Sequence, residues 1–254
     1  LNSTGDALKV DGIAYSFPIG DDISAIVGAQ GTDGSAMFTT ACTYGGPSNT
    51  LDDCGNVQSA FVGKGTMFGA EYAFSDEFTM AVGYAGDGKT ASTGLMTAEG
   101  LDAVGINAAY TTDTYGLSVT YASVETANAK GTSAGVYSDS SFAFNGYFSP
   151  EGFPSISAGY EFTDIGGAGV NVDEKTSFFV GLQFDEVGPG SAGVAVGTQG
   201  SITEGNDEAL MYEAYYSYPV NDGMTITPLV YAKEATSSTD EDETGIMVKT
   251  SFSF

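Results

Sequence analysis

Residues 244–254 alternate strictly. Ile246, Val248, Thr250, Phe252 and Phe254 share one parity, while Met247, Lys249, Ser251 and Ser253 share the other. Successive side chains of a β-strand point to opposite faces, so this segment has one apolar face and one wet face. A helix would smear the same residues around its whole circumference.

The same two-residue period recurs along most of the chain. Leu210, Tyr212, Ala214, Tyr216 and Tyr218 oppose Met211, Glu213, Tyr215 and Ser217, and Phe178, Val180, Leu182 and Phe184 oppose Ser177, Gly181 and Gln183. Further copies run through 68–74, 78–84, 104–110, 117–121, 142–148, 156–162 and 224–230. Each is about 10 residues between breakers, the length a tilted strand needs to cross a bilayer. No run places apolar residues at i, i+3, i+4 and i+7, and none approaches the ~20 apolar residues of a membrane-spanning helix.

A soluble β-sandwich would also alternate. Two features argue against it. The parity opposite the apolar one carries Ser, Thr, Gly, Asn and Glu, where a sandwich core needs large aliphatics. In addition, the 15 Tyr and 16 Phe gather toward strand ends, as in the aromatic girdles at membrane interfaces. The expected fold is therefore all-β, a transmembrane antiparallel β-barrel of about 14–16 strands when complete.

Connections alternate between tight and long. Segments 17–22, 74–77, 111–114, 148–153, 184–189 and 218–223 are short and rich in Pro, Gly, Asp and Ser, as expected on the periplasmic side. Segments 33–63, 86–101, 125–139, 163–175, 200–208 and 235–243 are longer and should face outward. About thirteen strands result, with the first (Ala7 to Phe17) and last (Gly245 to Phe254) running in the same direction. Since bacterial barrels have even strand numbers, either a strand lies within 33–63 (Ala36–Cys42 and Val57–Val62 are the candidates) or strands lie upstream of Leu1. The second is the preferred expectation: residues 1–254 as a barrel that continues upstream, with an N-terminal cell-wall-binding domain before it.

Four segments, together with a terminal strand that ends on Phe, carry a family resemblance: Ala14-Tyr-Ser-Phe-Pro-Ile-Gly-Asp21, Gly69-Ala-Glu-Tyr-Ala-Phe-Ser-Asp-Glu-Phe78, Met211 through Pro228, and Gly245-Ile-Met-Val-Lys-Thr-Ser-Phe-Ser-Phe254. With them the chain resembles the cyanobacterial outer-membrane porins grouped with the carbohydrate-selective (OprB) porins, some of which are labelled iron-uptake porins. The resemblance implies a passive, trimeric diffusion channel in the cell outer membrane, in contact with lipid and lipopolysaccharide. It also implies an N-terminal S-layer-homology domain and coiled coil that hold peptidoglycan, which these residues do not show. The family often has Arg where Lys249 stands, and this chain has no Arg, so an arginine-dependent selectivity does not carry over.

Seven basic residues against 33 acidic ones give a net charge of −26, which makes nucleic acid and anionic surfaces poor partners. Many acids fall in the expected loops, including 52–53, 204–208 and 240–243. They read equally as a solvated coat or as a mouth that concentrates cations. By parity, Glu71, Glu161 and Glu213 point to the lumen together with Lys233 and Lys249, since a carboxylate facing lipid costs kilocalories. These five are the pore-lining candidates, and segment 33–63 is the candidate for a loop folded inward. Both readings of that segment, inward or outward, stay open at this point.

Cys42 and Cys54 flank Thr-Tyr-Gly-Gly-Pro-Ser-Asn-Thr-Leu-Asp-Asp, a turn-rich spacing that fits a disulfide clipping an extracellular loop. Zinc would require His or further Cys, and the chain has no His, so neither metal nor cofactor is expected. Without His the Ser-His and zinc-water routes are closed, and no acid pair stands out for glycoside chemistry, so no enzyme is expected. Two functions compete: a porin for small hydrophilic solutes and ions with mild cation preference, and a structural or adhesive surface barrel with a plugged lumen. Strand number separates them, because ~8 strands fill their own interior while ~14–16 leave a channel.

Overall fold

The computed structural model describes residues 10, 12–29, 32–59, 65–86, 95–96, 100–127, 136–166, 174–237 and 240–253. Among them there is no helix, and fourteen strands join in one sheet. The strands are β1 (Ile13–Ile19), β2 (Ile23–Ala29), β3 (Thr66–Ala73), β4 (Phe78–Gly86), β5 (Asp102–Thr111), β6 (Tyr115–Ala127), β7 (Val136–Phe148), β8 (Ser155–Asp164), β9 (Glu174–Val187), β10 (Gly190–Thr198), β11 (Ile202–Thr203), β12 (Leu210–Asn221), β13 (Met224–Lys233) and β14 (Glu243–Phe252). Thirteen follow one another as antiparallel neighbours, and the two-residue β11 pairs with the start of β9 outside that order.

Register follows from the tight turns. Between β9 and β10, Gly188 takes a positive φ of 64° ahead of Pro189, the conformation that a two-residue hairpin needs at its first central position. At the same end, Tyr72–Phe74, Phe74–Phe78 and Tyr110–Tyr115 pack their rings at 4.6, 5.3 and 5.9 Å, forming the expected girdle.

The molecule is inside out relative to a soluble protein. Val82, Ile106, Phe144, Val180, Val230 and Val248 lie exposed on the outer face, whereas Asn107, Thr120, Ser141, Asn145, Ser157, Thr163, Ser177, Gln183 and Thr227 are buried on the inner one. A continuous apolar belt outside a polar interior has its free-energy minimum in a bilayer, where lipid covers the belt. One inner row runs straight across the register as Ser24, Glu71, Ala81, Asn107, Thr120, Ala143, Glu161 and Ser177. Glu71 and Glu161 thus belong to one register row, five strands apart on the wall.

Several expected boundaries shift. The first strand begins at Ile13 rather than Ala7, and positions 7–9 and 11 lie outside the described residues. The last strand gains Glu243 and Thr244, and Glu174 opens a strand rather than sitting in a loop. Residues 36–42 form no strand, 57–59 form a turn, and 60–62 lie outside the described residues.

Candidate functional site

Residues 32–59 fold into the interior of the barrel, and the way they bond explains why their N-terminal half reads as a weak strand. Thr39, Ala41, Thr43 and Gly45 each point a backbone N–H at the wall. Thr39 N donates to Asn107 Oδ1 (2.9 Å), Ala41 N to Ser118 Oγ (2.9 Å), Thr43 N to Ser157 Oγ (2.9 Å) and Gly45 N to Gln183 Oε1 (3.4 Å). The segment is extended with period two, but side chains of β5, β6, β8 and β9 replace a neighbouring strand as acceptors. Sequence periodicity detects the extended backbone and not the identity of its partner.

The returning half is held differently. Gln58 N and Ser59 N each donate to one oxygen of Glu161, both at 2.7 Å, while Ser177 Oγ donates to Gly55 O and Asn145 Nδ2 to Cys54 O, both at 2.8 Å. The two arms are joined by Asn56 Nδ2 donating to Thr40 Oγ1 (3.1 Å) and by the Cys42–Cys54 disulfide, whose Cα atoms are 6.5 Å apart. The expected disulfide is present, and it sits inside the barrel as a brace between the arms of the loop.

Glycines on the wall provide room. A Cβ at Gly83 would lie 1.8 Å from Gly34 O, and one at Gly159 would lie 1.9 Å from Cys54 O, so no larger residue fits under the loop at either place. Between these contacts the loop apex buries an apolar cluster. Tyr44 packs 5.2 Å from Phe179 and 5.6 Å from Tyr215, with Leu51, Met211 and Leu229 closing around it. Phe179 breaks the polar parity of β9, and its reason is now visible: it faces inward to receive the loop. At the loop's start Phe38 packs on Met67, Ala85, Ala103 and Ala122.

Three of the five pore-lining candidates meet an intramolecular partner. Glu161 is fully buried as the acceptor just described. Glu213, also buried, accepts the Tyr44 hydroxyl at 2.7 Å. Lys233 lies 4.0 Å from Glu243 and 5.1 Å from the centre of the Tyr231 ring, whose hydroxyl donates to the same carboxylate at 2.7 Å. Glu71, on β3, is half-buried. Lys249 is exposed and lines a cleft of about 370 Å³ between Gly45 and Pro47 of the loop and residues of β9–β14. The residues that place the loop, namely Asn107, Ser118, Asn145, Ser157, Ser177, Tyr44 and the two glycines, escape a sequence reading because small polar residues on a wet face look alike.

The loop's own groups feel the enclosure. Burial and the hydrogen bond to Glu213 push the Tyr44 hydroxyl pKa up. Burial, with Asp52 and Glu161 nearby, raises Asp53 to about 6 against the stabilising Gly55 N–H. Burial also raises Asp52, opposed by backbone N–H groups and by Lys249. The arrangement has no nucleophile–base pair and, among the described residues, no cluster of metal-ligating side chains. What it provides is a loop fixed against a polar wall, with a cleft beside it.

No protein-family model and no curated protein matches the chain. Solved structures do. An anion-selective porin from Comamonas acidovorans aligns at 13% identity with a TM-score of 0.67, covering 96% of this chain and 88% of the porin. OprB of Pseudomonas putida aligns at 12% identity with a TM-score of 0.59, covering 96% and 72%. A variant of the Rh. blastica porin aligns at 17% identity with a TM-score of 0.59, covering 99% and 81%. At these identities the likeness is one of architecture, and it agrees with the apolar belt, the polar interior and the alternating turns. The chain has the β-barrel fold of the bacterial outer-membrane porins.

Proposed function

We propose that the chain is an outer-membrane porin, a passive diffusion channel for small hydrophilic solutes and inorganic ions with a mild preference for cations. The observation that carries this reading is a polar interior only partly filled by its inward loop, with a cleft left between that loop and the β10–β14 wall. Glu71 on the wall, Asp52 and Asp53 on the loop and the acids at 204–208 and 240–243 supply the negative potential. Screening over ~8 Å at physiological ionic strength keeps the preference modest and makes it fall as salt rises. Homotrimeric assembly, contact with lipopolysaccharide, carbohydrate passage and a peptidoglycan link through an upstream domain belong to this proposal, on the strength of the family resemblance.

The test is ion conductance of purified protein in planar bilayers, with the reversal potential in a low-salt gradient. Ohmic steps and a cation-signed reversal potential are expected. Replacing Glu71, Glu161 and Glu213 by Gln should lower the preference, and E71Q alone should do so without moving the loop. The apolar cluster around Tyr44, Leu51 and Phe179 favours a second reading, a surface barrel with a plugged lumen. Purified, folded protein that never conducts would establish it.

A further inference from the structure

The cleft between the loop and the β10–β14 wall is lined by hydrogen-bond donors whose hydrogens the protein leaves uncommitted. Its floor includes one row across the sheet: Ser191 stands opposite Ser217, Ser217 meets Thr227, and Thr227 stands opposite Lys249. Thr227 gives its hydroxyl hydrogen to Ser217 Oγ (3.1 Å), so the hydrogen of Ser217 is left to donate. Lys233 is met by Glu243 and the Tyr231 ring, whereas Lys249, which lines the cleft and is exposed, has no ion-pair partner among the described residues.

Gln183 supplies the most constrained donor. Its side chain is 8% exposed, and its orientation is set by Gly45 N–H, which can only donate and meets Oε1 at 3.4 Å. The Tyr215 hydroxyl donates to the same oxygen. Gly193 pairs with both Gln183 and Tyr215, and a Cβ there would strike the Tyr215 ring that leans across to reach the amide. With Oε1 taken by two donors, Nε2 is left with two N–H groups and, among the described residues, no acceptor. Donors around one cation, with no carboxylate among the described residues of the lining, call for an acceptor-rich anion. A cation would meet Lys249. A carboxylate is acceptor-only, with about four lone-pair sites on two oxygens, and can take several donors at once. The number of charges matters as well. Asp185 and Glu186 bound the adjoining cleft, which shares Ser191 and Ser217, and the chain carries a net charge of −26, so each extra negative charge on a solute adds repulsion.

We propose that this cleft is a docking point for small monocarboxylates, with Lys249 as the charge partner and Gln183 Nε2 and the Ser217 hydroxyl as donors of the same cleft. The proposal rests on the channel reading and names a solute class for the same passage. It is compatible with a mild preference for cations, because the summed field of many acids sets bulk ion traffic while a contact at Lys249 acts within a Debye length. Binding is weak, on the order of millimolar, as suits a diffusion path.

The experiment follows the Gln183 side-chain amide and the Lys249 backbone amide by nitrogen-15 NMR of the folded protein in detergent. Potassium acetate is added in steps, and potassium chloride in equal steps in a parallel arm, so that both arms share ionic strength. Acetate should shift both signals saturably, and chloride should not. K249Q should weaken acetate binding at least about tenfold, the scale of a charged hydrogen bond, and S217A about threefold, the scale of a neutral one. K249R should keep binding, and K233Q should leave it unchanged. Q183E keeps an oxygen for Tyr215 and Gly45 while exchanging the free amide for a second acceptor, so the Lys249 signal should no longer respond. The site is overturned if acetate shifts neither signal, if K249Q or Q183E titrates like wild type, or if chloride or sucrose reproduces the acetate response. Inorganic phosphate at about pH 8, a dianion, binding as tightly as acetate would overturn the monocarboxylate assignment. In planar bilayers, conductance steps from a protein whose Gln183 ignores acetate would sink the docking site alone. An acetate response in a protein that gives no steps would sink the channel reading.

Discussion

The inner wall from β5 to β9 and the inner wall from β10 to β14 are woven from the same alternating strands, yet they treat their polar residues differently. On the first, Asn107, Ser118, Asn145, Ser157, Glu161 and Ser177 are all committed to the backbone of the loop, and Gly159 gives that backbone a place to lie. On the second, apart from Glu213, the hydroxyls of Ser217, Thr227 and Ser251 and the ammonium of Lys249 border open space. Strand parity says which residues face inward. It does not say which of them face water, because a loop from elsewhere in the chain can use a lumenal carboxylate as a latch. Glu161 and Glu71 share a register row and a parity, and only one of them is a latch.

The largest break in this contrast should come from filling the seat. In Gly159→Val the new side chain occupies the position of Cys54 O, and backbone cannot move away as a side-chain tip could. Overpacking costs about 1–3 kcal/mol or more, and here the cheapest relief is to lift the loop. Single-channel conductance should rise severalfold. The same substitution at a wall position facing the open cleft, Ser251→Val, should change it little. Unchanged conductance in G159V would mean that the loop does not limit the passage.

Removing the latch comes next. Glu161→Ala leaves the Gln58 and Ser59 amides without their shared acceptor, and each buried donor left unsatisfied costs about 1–3 kcal/mol. Glu161→Gln keeps one carbonyl acceptor and should retain part of the effect. Faster amide exchange at 58 and 59 in E161A, intermediate in E161Q, is the expected readout, with conductance rising in the same order. Equal exchange in all three proteins would show that other contacts hold this arm.

Which residues face inward was legible in the sequence, and which of them meet the loop was not, for a physical reason. The parity of Phe178, Val180, Leu182 and Phe184 against Ser177, Gly181 and Gln183 is a local property, so the strands, the tight turns and the inward set including Glu161, Glu213 and Lys249 could be read directly. The partners of that inward set are long-range. Tyr44 and Glu213 lie 169 residues apart, and nothing in either neighbourhood marks the other. Phe179 was the available clue, a large aromatic on a wet parity, and inward glycines opposite a long segment were another. Segment 36–42 looked like a weak strand because, past a turn at 34–37, Thr39 and Ala41 bond with a period of two, and it forms no ladder because their acceptors are side chains.

A smaller effect is expected from pH. The seated loop holds Asp53 at about 6, above the ordinary 3.8 of a free aspartate, so seating binds its proton more tightly than release does. A carboxyl shifted upward stabilises the seated state fully below about pH 4, and that contribution disappears as pH rises through about 6. The amplitude is on the order of 3 kcal/mol. Exchange protection of loop amides should therefore grow as pH is lowered from 7 toward 5, and Asp53→Asn should flatten this part of the profile. Glu161 is present in both proteins, so the difference between them isolates Asp53. A profile identical in D53N would assign the pH response elsewhere.

The smallest effect on conduction should come from the feature most conspicuous in the sequence. Cys42 and Cys54 are 12 residues apart, and closing such a loop is worth about 3 kcal/mol, acting on the unfolded chain. The loop's place in the barrel depends on other bonds. Six backbone amides (39, 41, 43, 45, 58 and 59) and two carbonyls (54 and 55) bond to wall side chains on both arms. At about 1 kcal/mol each, more for those to Glu161, they outweigh the bridge and do not pass through it. Replacing both cysteines by Ser should lower the midpoint of unfolding in urea while leaving conductance within about a fifth of wild type, since the folded geometry is kept. A severalfold rise in conductance on losing the bridge would reverse the ranking and make the disulfide, rather than the β5–β9 wall, the element that holds the passage narrow.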